Sequence, residues 1–96
     1  MKTAFVTGGS RGIGSAIALA LGKTFHVVVG FANSEDKAND VVKEIVTAGG
    51  SASTVQIDIS NAESVDNAFT TIEKEYNSVD VLINNAGLQK TIYCRE

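Results

Sequence analysis

Four glycines crowd the run Thr7-Gly8-Gly9-Ser10-Arg11-Gly12-Ile13-Gly14, set between the apolar triplet Ala4-Phe5-Val6 and a stretch in which Ile13, Ala16, Ile17, Ala20 and Leu21 recur at helical spacing. Glycine lets a backbone turn tightly and lets an anion approach without striking a Cβ. A helix beginning at such a turn offers unpaired amide N–H groups and the positive end of its dipole. Residues of these types in this order suit the holding of a pyrophosphate. The spacing, Thr-Gly-x-x-x-Gly-x-Gly, departs from the Gly-x-Gly-x-x-Gly pattern of many dehydrogenases. Arg11 adds a fixed charge able to grip phosphate oxygens in a fork.

Such a loop works only if a strand delivers it and a helix backs it. Short, mostly β-branched runs at Ala4-Phe5-Val6, Val27-Val28-Val29, Val55 to Ile59 and Val79 to Ile83 suit strands. Between them, Ala38, Val41, Val42, Ile45 and Val46, then Val65, Ala68, Phe69, Ile72 and Tyr76, follow the helical period as the first stretch does. Ser34 before Glu35 and Asp36, and Ser60 with Glu63 three positions on, mark helix starts; Gly49-Gly50 closes the second helix. Strands alternating with helices require parallel pairing with right-handed crossovers. The expected fold is α/β, a Rossmann-type doubly wound parallel sheet β-α-β-α-β-α-β in the order 3-2-1-4, with three αβα layers and nothing beyond strand 4. Residues 1–96 are read as one nucleotide-binding domain, with 89–96 an irregular tail. In this topology the glycine run falls at the carboxyl end of strand 1, where ligands bind.

Two further stretches fall at carboxyl ends: Asp58 after strand 3, and Asn84-Asn85-Ala86-Gly87 after strand 4. With the glycine run they resemble, in order and spacing, the three cofactor-side motifs of the short-chain dehydrogenase/reductase family, from about residue 2 to residue 88. Within it the chain looks most similar to bacterial-type 3-oxoacyl-carrier-protein reductases and related NADP-dependent reductases. The resemblance implies an oxidoreductase that moves a hydride between carbonyl and alcohol. It implies that Gly8, Gly12 and Gly14 frame the pyrophosphate, with Ser10, Arg11 and Ile13 adding contacts. Asp58 would accept a hydrogen bond from the adenine amino group while Ile59 offers its backbone, and Asn84, Ala86 and Gly87 would line the adenosine ribose.

The end of strand 2 bears on which coenzyme is held. An NAD site usually places an acid there for the ribose 2′-hydroxyl, and an NADP site a nearby arginine. The chain reads Gly30-Phe31-Ala32-Asn33-Ser34, with no acid before Glu35. Arg11 with the neutral donors Asn33 and Ser34 points to NADP. NAD stays open as the alternative, through Glu35 or Asp36 reaching back.

Composition narrows the rest. A net charge of −3 with scattered basic residues gives no field for nucleic acid. Cys94 is the sole cysteine, so no internal disulfide forms and no metal cluster is expected. The apolar run before Gly8, Ala4-Phe5-Val6, is only three residues long, too short for a signal peptide or a membrane span, and the expected address is the cytoplasm. Gly22-Lys23-Thr24 mimics the end of a P-loop but reads as a helix C-cap and turn, and His26, opening strand 2, reads as structural.

Carbonyl reduction in this family uses a tyrosine with a lysine four residues on and a serine beside them. Neither Tyr76, followed by Asp80, nor Tyr93 meets that spacing, so no catalytic residue is assigned. The expectation is the cofactor-binding part of such an oxidoreductase, without turnover. The alternatives are a stand-alone NADP-binding module and an interaction protein that keeps the fold as scaffold. Strand 4, left without a neighbour, is expected to form a homo-oligomer by edge pairing.

Overall fold

The computed structural model describes residues 2–10, 12–86 and 91–94, the last four by their backbone. Arg11 and Gly87 lie outside the described residues. The elements are β1 (Thr3–Thr7), α1 (Gly12–Leu21), β2 (His26–Phe31), α2 (Glu35–Thr47), β3 (Ser51–Gln56), α3 (Ala62–Tyr76), β4 (Val81–Asn84) and β5 (Thr91–Cys94). They build a five-stranded sheet in the order β3-β2-β1-β4-β5. β1 pairs in parallel with β2 and β4, and β2 with β3.

β1 is buried along its whole length, as a central parallel strand covered on both faces must be. Alternation distributes its side chains and those of β2 between two cores. Val6, Val27 and Val29 meet Ala18 of α1 and Ala38, Val41 and Ile45 of α2. On the opposite face Phe5 and Val28 meet Ala68 and Ile72 of α3, and the ring of Phe69 stands edge-on to Phe5 at 5.4 Å. The result is the expected three-layer arrangement, with α1 and α2 above the sheet and α3 below it.

Three sequence expectations are corrected. The third strand runs Ser51–Gln56 rather than 55–59. It pairs with β2 from His26↔Ser51 to Phe31↔Gln56, so Asp58 sits in the turn beyond its end. Backbone pairing along an edge drives this, and small polar residues carry no apolar signal of it. The cap of α3 is Asn61, whose side chain accepts from the Ser64 N–H, rather than Ser60. The residues after β4 are not wholly irregular and the sheet does not stop at strand 4. Residues Thr91–Cys94 form β5, antiparallel to β4 with Val81 opposite Cys94 and Asn84 opposite Thr91. The ladder groups on that side of β4 are thereby satisfied within the chain. Edge pairing between copies through strand 4 has no open ladder to use.

At the amino ends of the strands, polar groups satisfy one another. The His26 ring nitrogens bond the hydroxyls of Ser51 (2.5 Å) and Ser53 (3.0 Å), and Ser53 bonds the Tyr76 hydroxyl at 3.1 Å. The Tyr76 ring lies 4.3 Å from the imidazole. Asp80 accepts from the Thr3 N–H and donates its own N–H to the Thr3 carbonyl, both at 2.9 Å. His26 is therefore structural, as its sequence position indicates.

Candidate functional site

β1 has neighbours on both sides, reached by connections that run to opposite edges of the sheet. Between the carboxyl ends of β1 and β4 the connections therefore diverge and leave a crevice. Thr7 ends β1 beside Asn84, its register partner on β4. Its buried hydroxyl donates to the Asn84 amide oxygen (3.1 Å) and accepts from the N–H groups of Asn85 (3.1 Å) and Ala86 (3.3 Å). One hydroxyl thus fixes the chain leaving β4 against the chain leaving β1.

The glycine turn follows directly. Gly9 N–H bonds the Gly30 carbonyl of β2 at 3.1 Å, and the Asn85 side-chain amide donates to the Gly8 carbonyl at 3.2 Å. Gly14, in the first turn of α1, is buried, and a Cβ there would be driven into the Gly8 carbonyl and to 2.5 Å from the Asn85 amide nitrogen. Gly12 is the reverse case. Its φ of +62° disfavours any side chain, yet a Cβ would meet nothing within 4 Å. Among the described residues nothing occupies the space that a side chain at Gly12 would enter.

That helix start also differs from the other two in charge. α2 carries Glu35 and Asp36 in its first turn and α3 carries Glu63, whereas α1 carries no acid there. Carboxylates complement the positive end of a helix dipole. In α1 no carboxylate of the first turn supplies that complement.

Beside it lies a cleft of about 230 Å³, whose walls include Gly8, Ser10, Asn33, Ser34, Asp58, Ile59 and Ala86. Seven of the sequence-derived candidates therefore meet in one place. Gly12, Ile13 and Gly14 stand at the start of α1, with Ile13 two-thirds exposed (66%). Asn84 ends β4 with its amide oxygen engaged by Thr7 and is not part of the cleft wall. Phe31, Ala32 and Ile57 complete the wall; sequence reasoning passed over them as strand ends. It also gave no role to Thr7 and Asn85, whose polar atoms hold the glycine turn. A hydroxyl closing an otherwise apolar strand is the signal that could have found Thr7.

Asp58 is held by its neighbours. Its N–H donates to the Ser64 hydroxyl at 2.9 Å, and its Oδ1 accepts from both the hydroxyl (2.6 Å) and the N–H (3.0 Å) of Ser60. These two bonds, the hydroxyl's the stronger, hold its carboxyl below the usual carboxylate range. Among the described residues no group of three or more His, Cys, Asp or Glu side chains could hold a metal ion, and no helix is long and apolar enough to cross a membrane.

Four parallel strands in the order 3-2-1-4, with a glycine turn and a cleft at their carboxyl ends, define a Rossmann-type α/β module. The family model for short chain dehydrogenases matches residues 2–96, and the chain belongs to that family. It is similar to a 3-oxoacyl-(acyl-carrier-protein) reductase of Synechocystis, 47% identical over 90 residues that make up 93% of this chain and 36% of the relative. A dehydrogenase/reductase of Sinorhizobium meliloti superposes with a TM-score of 0.85 at 42% identity, covering 91% of this chain and 35% of that one. A metagenomic short-chain oxidoreductase solved in complex with NADP superposes with a TM-score of 0.86 at 40% identity, covering 91% of this chain and 39% of the other. The chain thus spans little more than a third of the length of the relatives it matches.

Proposed function

We propose that these 96 residues form the coenzyme-binding part of an NADP-dependent short-chain oxidoreductase, and that by themselves they bind coenzyme without turning it over. The observation that carries this is the start of α1. It has an acid-free first turn, and it has a glycine at φ +62° whose missing Cβ would point into open space. A pyrophosphate placed there would meet the N–H groups of the helix start, held by Gly8, Ser10, Gly12, Ile13 and Gly14. Adenine then falls between Asp58 and Ile59, whose 44% exposure a base would reduce. Asn84, Ala86 and Gly87 take the ribose side.

NADP is favoured over NAD because neither Glu35 nor Asp36 lies in the cleft wall, whereas Asn33 and Ser34 do. Arg11 supplies the charge for the 2′-phosphate. The bound nicotinamide would supply or accept a hydride. Its carbonyl partner needs a proton donor of the Tyr-x-x-x-Lys kind, which these residues do not contain. The name of the Synechocystis relative suggests 3-oxoacyl thioesters as the substrate class of the whole enzyme.

Titration of the chain with NADPH and NADH tests the reading. NADPH is expected to bind at least about tenfold tighter, a difference of about 1.4 kcal/mol, and no NADPH should be consumed with a panel of ketones. Tighter NADH binding would overturn the phosphate assignment, and turnover would overturn the assignment of chemistry. A second reading, a stand-alone NADP-binding module, is favoured by β5, which closes β4 from within the chain. It gains if the chain unfolds in one cooperative transition and binds coenzyme unaided.

A further inference from the structure

We infer that Ser60 is a positioning residue for base recognition, holding the Asp58 carboxylate oriented so that it selects a 6-amino purine over a 6-oxo purine. This rests on the placement of adenine at Asp58 proposed above.

Asp58 is fully exposed, and an exposed aspartate at the end of a strand ordinarily samples several rotamers. Here it does not stand alone. Ser60 places its hydroxyl and its N–H on the same oxygen, Oδ1, at 2.6 and 3.0 Å. The Asp58 main chain is fixed independently, its N–H by the Ser64 hydroxyl at 2.9 Å and its carbonyl by the Asn61 N–H at 3.0 Å. Asn61 in turn caps α3 through Ser64 N–H at 3.1 Å. The turn is thus anchored to a fifteen-residue helix, and Oδ2 remains as the carboxylate oxygen with no partner among the described residues. A carboxylate fixed through one oxygen presents the other as an acceptor at little entropic cost.

The direction of selectivity follows from the donor set. A charged carboxylate has acceptors only. The 6-amino group of adenine donates to it, while the 6-oxo group of hypoxanthine opposes it with a second acceptor. Ser60 strengthens this by fixing the rotamer. The Ser60 hydroxyl was legible in the sequence only as a helix cap, a role that Asn61 fills instead.

The test compares NADPH with its reduced hypoxanthine analogue, nicotinamide hypoxanthine dinucleotide phosphate, titrated into the 96-residue chain. The wild type is expected to prefer NADPH, and Asp58→Ala to abolish the preference. Ser60→Ala is expected to reduce the preference by about three- to tenfold, the worth of one charge-assisted hydrogen bond, with affinity for the analogue unchanged. Ser60→Thr, which keeps the hydroxyl, should restore it. The preference should also fade on acidification, with a midpoint higher in Ser60→Ala than in the wild type. If Asp58→Ala loses the preference but Ser60→Ala keeps it in full, the positioning role is wrong while the base site stands. The positioning role is equally wrong if Ser60→Ala weakens both ligands to the same extent. If Asp58→Ala keeps the preference, the placement of adenine is wrong and the inference falls with it.

Discussion

The two ends of this sheet are built from the same kinds of residue and do opposite things with them. At the amino ends of the strands, His26, Ser51, Ser53, Tyr76, Thr3 and Asp80 spend their hydrogen-bonding groups on one another. At the carboxyl ends, Thr7 and Asn85 hold a glycine turn, while no acid fills the first turn of α1 and one oxygen of Asp58 has no partner among the described residues. Polar residues alone therefore do not mark a site. What separates the ends is whether the donors and acceptors are already matched.

The comparison breaks most sharply at the glycine turn. Gly14→Leu forces a side chain against the Gly8 carbonyl and the Asn85 amide. It is expected to cost about 3 kcal/mol of stability and to abolish NADPH binding, as urea denaturation and titration would show. Gly12→Val should separate the two effects. Its positive φ implies a stability loss of only about 1–2 kcal/mol. Its side chain enters the open space, so NADPH affinity should fall by at least about tenfold, or 1.4 kcal/mol. Unchanged affinity in Gly12→Val would remove the pyrophosphate from this turn.

At the opposite end the pattern should invert. Asp80→Ala leaves the Thr3 N–H without its side-chain acceptor and is expected to lower stability by about 1–2 kcal/mol, with NADPH affinity the same as wild type. A parallel loss of affinity would show that the two ends are coupled.

The smallest effect concerns pH. Burial holds the His26 imidazole below its ordinary value of 6.5, against the weaker opposing pull of Glu75. As pH falls, the unfolded chain takes up this proton before the folded one does. The contribution is therefore complete above 6.5 and is lost as pH drops below it. Melting temperature followed from pH 7.5 to 5, in the wild type and in His26→Gln, should show a shallower fall in the variant. Equal slopes would assign the decline to carboxylates alone.

Most of the fold was legible, and the reason is local. Val27-Val28-Val29 and Ala4-Phe5-Val6 announce buried strands because both of their faces are covered, and Ala38, Val41 and Ile45 announce α2 because they share one face. β3 was displaced because Ser51-Ala52-Ser53-Thr54 is half-buried throughout and shows no period, so its pairing is set by β2 and not by its own residues. β5 was missed for a related reason: a four-residue strand is fixed by the ladder it joins. The candidate site was legible where a residue type is itself the requirement, as at Gly12 and Gly14. It was not legible where a common residue acquires its role from a distant partner, as Thr7 does from Asn84 and Ser60 from the turn it closes.

The central place of β1 has a kinetic consequence. One of its neighbours, β2, follows within a single helix, but the other, β4, comes from the far side of the chain. The units β1-α1-β2 and β2-α2-β3 can zip together early, whereas β4 must close a loop spanning nearly the whole module before Ile83 meets Val6. A nascent chain thus has its glycine turn long before it has a crevice. A ligand that needs both walls recognises only the finished sheet, and by mass action would drain the half-assembled population toward it.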